Sequence, residues 1–509
     1  MKKLGLGILS IATIAGVLTL SSCGGSGVEN AGESFQVISM EDLKTKSQES
    51  PIIVEFWHSF GHNISSSLEP LIENFEQEMK SQGINIDVKA EQIGGGYDGL
   101  RSRVNMGTKT KSIPTMVLGY PDHFADYINS GILLPLDGYV KSTDEQIGLG
   151  DTSDFVDSYW AECQMNFVAA GEETASSHTV AIPFNKSTEV MYYNASAVDP
   201  ILEAHGWLVD GRWEKPTWEQ LFTVSSELKE KVESADGLTW KYNNVSYTSK
   251  KTTYPVYIDS EANFFITTAR QWSAKGENVY TRLNADGSGT VVFDNQTTKT
   301  AQNYFIEKAS NKLWNIPKKV NQSYGSALMV NNEAFISIGS TAGVNNNDSS
   351  KYQLKCTAIP QRSYAENDVQ AVIQQGTNAA ILSANSNNYT RLSAWLLIKY
   401  LTTTENTITF SEETGYLPIR KSARDSQEFQ SFLANENDPF VGNAAKAINA
   451  AYDQINYFYT DPAFSGSSIV RDTVDTMIQS VYCNNKSIQD AINTAYVELR
   501  DKDFSCESI

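Results

Sequence analysis

Two hydrophobic periods alternate along the chain. Pro51-Ile-Ile-Val-Glu-Phe-Trp57 is a short apolar run rich in β-branched and aromatic residues, which predicts a buried strand. Ile64, Leu68, Leu71, Ile72, Phe75 and Met79 then keep helical spacing, with Ser65–Ser67 available to cap the start and Pro70 in or near the first turn. Ile84, Ile86, Val88 and Ala90 alternate with polar residues and predict a second strand. A short helix over Leu100–Met106 and a third strand over Ile113–Leu118 follow. Strand, helix, strand, helix, strand is the signature of an α/β fold with a parallel sheet.

The pattern resumes further on. Thr179–Asn194 reads as two strand-like runs around a polar turn, and Thr217-Trp-Glu-Gln220 as a capping box opening a helix through Leu228. Ala334–Gly339 predicts a strand ending in a Gly/Ser/Thr turn, and Val372–Leu382 a glycine-centred turn entering a strand. Ser393–Leu401, Ala444–Tyr459 and Ile488–Leu499 predict helices. Ligands of open α/β sheets bind beyond the carboxyl ends of the strands. A pocket is therefore expected from His58–Gly61, Tyr120–Asp122, Ser340–Gly343 and Gly376–Asn378.

The first residues follow a different logic. Lys2 and Lys3 precede an apolar run from Leu4 to Leu20, which ends in small residues: a secretory signal over 1–22. Leu20-Ser-Ser-Cys23 resembles a bacterial lipobox, which implies cleavage before Cys23 and lipid (palmitate among the acyl chains) on that cysteine. Residues 23–49 then form a lipidated tether, polar and Gly-containing over 26–34. More than one acyl chain makes such anchoring stable. Removal of 1–22 leaves 38 basic against 60 acidic side chains, a charge of −22. That balance excludes nucleic acid as a partner, which requires a basic face. Cys163, Cys356, Cys483 and Cys506 remain and allow three pairings, of which Cys483–Cys506 is singled out.

Candidate chemistry narrows quickly. His58 and His62 stand four apart, but the stretch is H-S-F-G-H, with no Glu beside the first His and no further His-rich segment; no metal site is expected. No nucleophile elbow occurs, and Gly94-Gly95-Gly96 lacks the spacing and lysine of a phosphate loop. A carboxylate pair for glycoside hydrolysis is a matter of three-dimensional separation and stays open. The remaining pattern is a pocket of aromatic rings and small polar groups on an exported protein, which suits a neutral polyol.

Seven segments taken in order carry a likeness: VEFWHS (54–59), IPTMVLGY (113–120), IPFNKSTEVMYYN (182–194), PTWEQL (216–221), NNEAFISIGSTAG (331–343), GTNAAIL (376–382) and TGYLPIRKSA (414–423). With them the chain resembles the extracellular solute-binding proteins of family 1, the lipoprotein receptors of carbohydrate ABC importers. The resemblance implies two α/β lobes around a cleft that closes by a hinge. It puts one lobe at 50–186 plus 374–424 and the other at 187–373 plus 425–509. It implies ligand contacts at Tyr97, Ser187, Ser340, Gly376 and Tyr416, with His58 and Ser59 at the cleft lip. The expected partners are a carbohydrate, the transmembrane subunits of an ABC permease, and the membrane through Cys23. The receptor itself is expected to be a monomer without cofactor or catalytic residues, on the extracytoplasmic face. A glycerophosphodiester ligand, a surface glycan hydrolase and an adhesin are the alternatives. Two departures bear on the ligand. Receptors of the glycerol-3-phosphate type carry Glu after the tyrosine of LGY, where this chain has Pro121 and then Asp122. They also carry a phosphate-holding Arg where Ser468 stands, with Arg471 three residues on; this favours sugars.

Overall fold

The structure, a computed structural model, describes residues 35–509. The signal and lipidation readings at 1–22 and Cys23 lie outside the described residues; of the expected tether 23–49, residues Met40–Glu49 instead form a helix, capped by Ser39, whose Leu43 is buried in the core beside β1. The architecture is two α/β lobes sharing one ten-stranded sheet. Its strands are β1 (Ile52–His58), β2 (Ile86–Gln92), β3 (Met116–Gly119), β4 (Ile182–Asn194), β5 (Val256–Ile258), β6 (Trp314–Asn315), β7 (Ile336–Ser340), β8 (Leu354–Ala358), β9 (Val372–Ile381) and β10 (Phe458–Tyr459). The spatial order is β6-β5-β7-β4-β9-β3-β1-β2, with β8 added to β4 and β10 to β9. The helices that matter below are α1 (His62–Ser81), α2 (Gly96–Thr108), α3 (Pro121–Asn129), α4 (Trp218–Glu233), α5 (Asn388–Leu401), α6 (Thr404–Thr414), α7 (Gly442–Tyr452), α8 (Ser467–Tyr482) and α9 (Ile488–Asp501).

The apolar period predicts the first lobe well. Ile52, Val54 and Phe56 are buried while Ile53 and Glu55 face out, so β1 lays one face on α1 through Leu68, Leu71 and Phe75. β1 pairs in parallel with β2 and β3. Gly61 rather than a serine is the residue before α1, so the helix starts earlier than expected and Pro70 falls inside it. Pro70 sits on the exposed face, where solvent replaces the missing bond. In the second lobe the capping box forms as written: Thr217 Oγ1 accepts from Gln220 N and the Gln220 side chain accepts from Thr217 N.

Two strands join the lobes. β4 pairs with β9 through Ile182–Thr188 and with β7 and β8 beyond that. The polar residues expected to form a turn are instead the middle of a continuous strand, and all 13 positions of β4 are buried. They stay extended because the side chains of Asn185, Lys186 and Thr188 find partners inside the protein, while Ser187 faces the cleft. Asn185 bonds Tyr97 and Thr377, Thr188 Oγ1 donates to the Ile373 carbonyl at 2.8 Å, and Lys186 donates to Glu162. Likewise Gly376 is no turn but a point inside β9. It takes φ +98° because a Cβ there would lie 1.9 Å from the Asn185 carbonyl oxygen. A third passage runs from α6 through Tyr416, where Leu417 N donates to the Lys186 carbonyl at 2.6 Å.

Two other expectations are corrected. The helix expected over Ala444–Tyr459 ends at Tyr452, because buried Gln454 turns inward to bond the Glu189 carbonyl (2.6 Å) and Ile359 N (3.0 Å). The Cys483–Cys506 bridge is not formed; Cys163, Cys356, Cys483 and Cys506 are all free thiols. Cys483 precedes α9 and Cys506 follows it. A helix of 14 residues is about 21 Å long, against the 7 Å between Cα atoms that a disulfide tolerates at about its limit.

Gly376→Ala should destabilise the protein by more than about 2 kcal/mol, since it combines positive φ with contact against backbone. Chemical denaturation reads this directly; an unchanged midpoint would mean that the β4–β9 crossing tolerates separation.

Candidate ligand-binding cleft

Two joined chambers lie between the lobes, of about 510 Å³ and about 370 Å³. Both are within the usual range for small-molecule sites, about 300–1,000 Å³. Strand ends and helix starts build the walls. Tyr97 comes from the first turn of α2, after the Gly94–Gly96 bend, and Tyr120 from the carboxyl end of β3. Their rings meet edge to face at 5.1 Å, and the Tyr97 hydroxyl accepts from Asn185 Nδ2 at 3.4 Å. Tyr416 follows α6 and stacks on Phe410 at 5.8 Å. Burial raises all three phenols, Tyr120 and Tyr416 well above their ordinary range, so they act as neutral donors and acceptors.

Tyr97, Ser187, Ser340, Gly376 and Tyr416 line the larger chamber, and Asp122 lines the smaller one. Asp122 lies in the first turn of α3, and its carboxylate accepts from His123 N at 3.0 Å. His58 and Ser59 line neither chamber. The His58 ring packs on Phe56 and Phe60, its Nδ1 accepts from Phe60 N, and burial pushes it down to about 4, so it is neutral. Ser59 donates to the Ile93 carbonyl at 3.3 Å. His62 is exposed in the first turn of α1, so the two histidines share no helix face. Among the described residues no three His, Cys, Asp or Glu side chains are placed to hold a metal ion.

The structure puts four charged groups here, of which the sequence pattern singles out only Arg471. Glu189 and Asp259 line the larger chamber on the second lobe. Burial raises the Glu189 carboxyl to about 8, although Asn263 Nδ2 donates to it at 3.0 Å, and raises Asp259 to about 7. Glu162 and Arg471 line the smaller chamber. Burial works against the Arg471 charge, but Asp461 at 3.8 Å and the nearby Tyr280, Asp122 and Asp475 outweigh it and hold the guanidinium firmly protonated. Among the described residues that guanidinium has no hydrogen-bond partner. Ser468 points elsewhere: its hydroxyl donates to Asp126 Oδ2 on α3 at 3.1 Å. Gly466 N donates to the same carboxylate at 2.8 Å, and Arg101 on α2 pairs with Asp472 on α8 at 2.5 Å. The lobes therefore touch across the mouth of the smaller chamber.

Two lobes, crossing strands and an enclosed polar cleft define a class: proteins that hold a small solute between hinged lobes. The family model of bacterial extracellular solute-binding proteins matches residues 71–437, and the chain belongs to that family. It is a solute-binding protein. The sn-glycerol-3-phosphate-binding periplasmic proteins UgpB of Shigella flexneri and of Escherichia coli K12 are each 22% identical over 445 residues, 87% of this chain and 90% of theirs. Among solved structures, UgpB of Mycobacterium tuberculosis with glycerophosphocholine superposes with a TM-score of 0.64 at 19% identity, covering 89% of this chain and 98% of that one. The GacH receptor of Streptomyces glaucescens, solved unliganded and with acarbose, gives 0.64 at 16% identity, covering 90% and 100%. No helix among the described residues is long and apolar enough to cross a membrane.

The raised carboxyls fix a pH dependence. Glu189 holds its proton to about 8 in the fold against an ordinary value of 4.5, so the folded state binds the extra proton. Its contribution to stability is complete below about 4.5 and is lost as pH rises toward 8. Glu189→Gln should flatten the fall in Tm between pH 5 and pH 8 and be the more stable form at pH 8. Parallel Tm profiles for variant and wild type would refute the assignment.

Proposed function

We propose that the protein is the receptor of an ABC importer, anchored through lipid on Cys23 at the extracytoplasmic face, which captures a sugar or oligosaccharide by cleft closure and passes it to the permease. On this reading it is a monomer and not an enzyme. Its lobes are 50–186 with 374–424 and 187–373 with 425–509, and Tyr97, Asp122, Ser187, Ser340, Gly376 and Tyr416 contact the ligand. The observation that carries the reading is the lining itself. Tyrosine rings, hydroxyls, backbone and carboxyl groups converge from both lobes, which is what a polyol with apolar C–H faces and a hydroxyl rim requires. Family membership supports the receptor role, and the acarbose complex of a structural neighbour supports the ligand class.

Charge argues for a neutral solute. Arg471 is outnumbered by Asp122, Asp461 and Asp475 around it, so a phosphate monoester meets net repulsion. Arg471 does favour one second reading. A phosphodiester with a cationic headgroup would set its phosphate on the guanidinium and its cation against the carboxylates and tyrosine rings.

The test is a thermal-shift screen of residues 24–509 with neutral mono- and oligosaccharides, glycerophosphodiesters and glycerol 3-phosphate. Ligand at 100 times its Kd should stabilise by about 2.7 kcal/mol. A shift with one sugar class is the expected result. A shift confined to glycerophosphodiesters would move the assignment to the second reading, and the largest shift with glycerol 3-phosphate would overturn the charge argument. Silence across the panel would refute a receptor for such solutes.

A further inference from the structure

Six residues line both chambers and so form the waist between them: Tyr97, Tyr120, Gln375 and Gly376, with Ser260 and Tyr324 opposite. Tyr324 differs from the rest. Its ring is 65% exposed, and no other exposed large hydrophobic side chain lines either chamber. Among the described residues it has no hydrogen-bond, ring or cation partner. Tyr97 and Tyr120, in contrast, are held by each other and by β4.

An exposed aromatic on a floppy loop would carry no argument, but the base of this one is fixed. Gly325 N donates to Asp259 Oδ1 at 2.8 Å. A Cβ on Gly325 would meet Ser337 Oγ at 2.6 Å, so the backbone beside Tyr324 lies directly against the second-lobe sheet. The other end of the loop is closed by Gln322 N donating to the Pro317 carbonyl at 3.1 Å. A rigid base under an unpartnered ring is the geometry of a surface built to receive a face from outside the protein.

We propose that Tyr324 is the platform that selects ligand length. The ligand is a neutral oligosaccharide with one unit in each chamber, and Tyr324 lies over the linkage at the waist, opposite Tyr97 and Tyr120. A single ring fills one chamber and gains nothing from Tyr324, whereas two joined rings bring an apolar face across it. This rests on the sugar reading above and adds the requirement for at least two units.

Titration calorimetry on residues 24–509 with mono-, di- and trisaccharides of glucose, galactose, mannose and xylose tests it. Because the ring is exposed, Tyr324→Ala leaves the core intact. The variant should weaken the preferred di- or trisaccharide by about tenfold and leave the matching monosaccharide within about twofold, while Tyr324→Phe keeps the wild-type selectivity. Equal loss for monomer and oligomer, or no loss for the oligomer, would overturn the platform and leave the sugar reading standing. Wild-type silence on every sugar would overturn the sugar reading and the platform with it.

Discussion

The arrangement of the two lobes depends on one buried carboxylate. Glu162, in the first lobe, accepts from Lys186 on β4 and from Gln374 Nε2 (2.5 Å) and Asn378 Nδ2 (2.9 Å) on β9. It thus ties together both crossing strands. The Lys186 side chain has no exposed surface, donates also to the Gly376 carbonyl at 3.3 Å, and lies over the Tyr159 ring at 5.8 Å. A buried ion pair is weak evidence of net stabilisation, because desolvation consumes most of the Coulomb gain. Breaking one is different: an orphaned buried charge costs about 3–5 kcal/mol. That is a large share of the 5–15 kcal/mol or so that holds a typical domain folded. The pair therefore acts chiefly as a specification. It makes one register of β4 on β9 far better than its neighbours, and it fixes Gly376 against Asn185.

The same carboxylate lines the smaller chamber, so the hinge and the cleft share a group. The polar contacts across the mouth are Arg101 with Asp472 and Asp126 with the start of α8. In the first of these the Arg101 side chain is buried and the Asp472 side chain is 42% exposed, so the pair is only partly solvated. Where two lobes are hinged, a ligand touching both walls shifts the balance of open and closed states only through its differential affinity for them.

Local chemistry was legible in the sequence; long-range partnering was not. The β1–α1 unit and the Thr217–Gln220 capping box are written in residues a few positions apart; both form, although α1 starts at His62, ahead of the expected serine cap. The β4 strand was read as two runs because Asn185, Lys186, Ser187 and Thr188 are polar. The partners that make them suitable strand residues, Glu162, Thr377 and Ile373, are 24 to 192 positions away. Gly376 was read as a turn for the same reason: the backbone that demands glycine there belongs to another strand. At the start of α8 the difference is a single helical turn. Positions three apart share a helix face, so Arg471 reaches the cleft while Ser468 bonds Asp126. Tyr324 gave no sequence signal at all, lying in a polar loop without periodicity.

The strongly acidic chain presents a cleft whose acidity is graded rather than uniform. In the larger chamber burial raises Glu189 to about 8 and Asp259 to about 7, so near neutral pH Glu189 mostly offers a hydroxyl donor and Asp259 is divided between its two forms. In the smaller chamber burial raises Asp461 and Asp475 only to about 6, so they are mostly charged beside Arg471. One end of the cleft thus donates mainly from the neutral Glu189 carboxyl group, and the other accepts on carboxylates around a fixed cation. Each hydroxyl of a polyol is both donor and acceptor and can satisfy either end without bringing a charge into the cleft. A dianion held on Arg471 must sit among its acidic neighbours Asp122, Asp461 and Asp475. The cost of burying these groups without partners, about 1–3 kcal/mol each and more when charged, is largest where the cleft is driest. On the sugar reading, a hydroxyl-rich solute that meets both walls would satisfy the groups of both chambers at once.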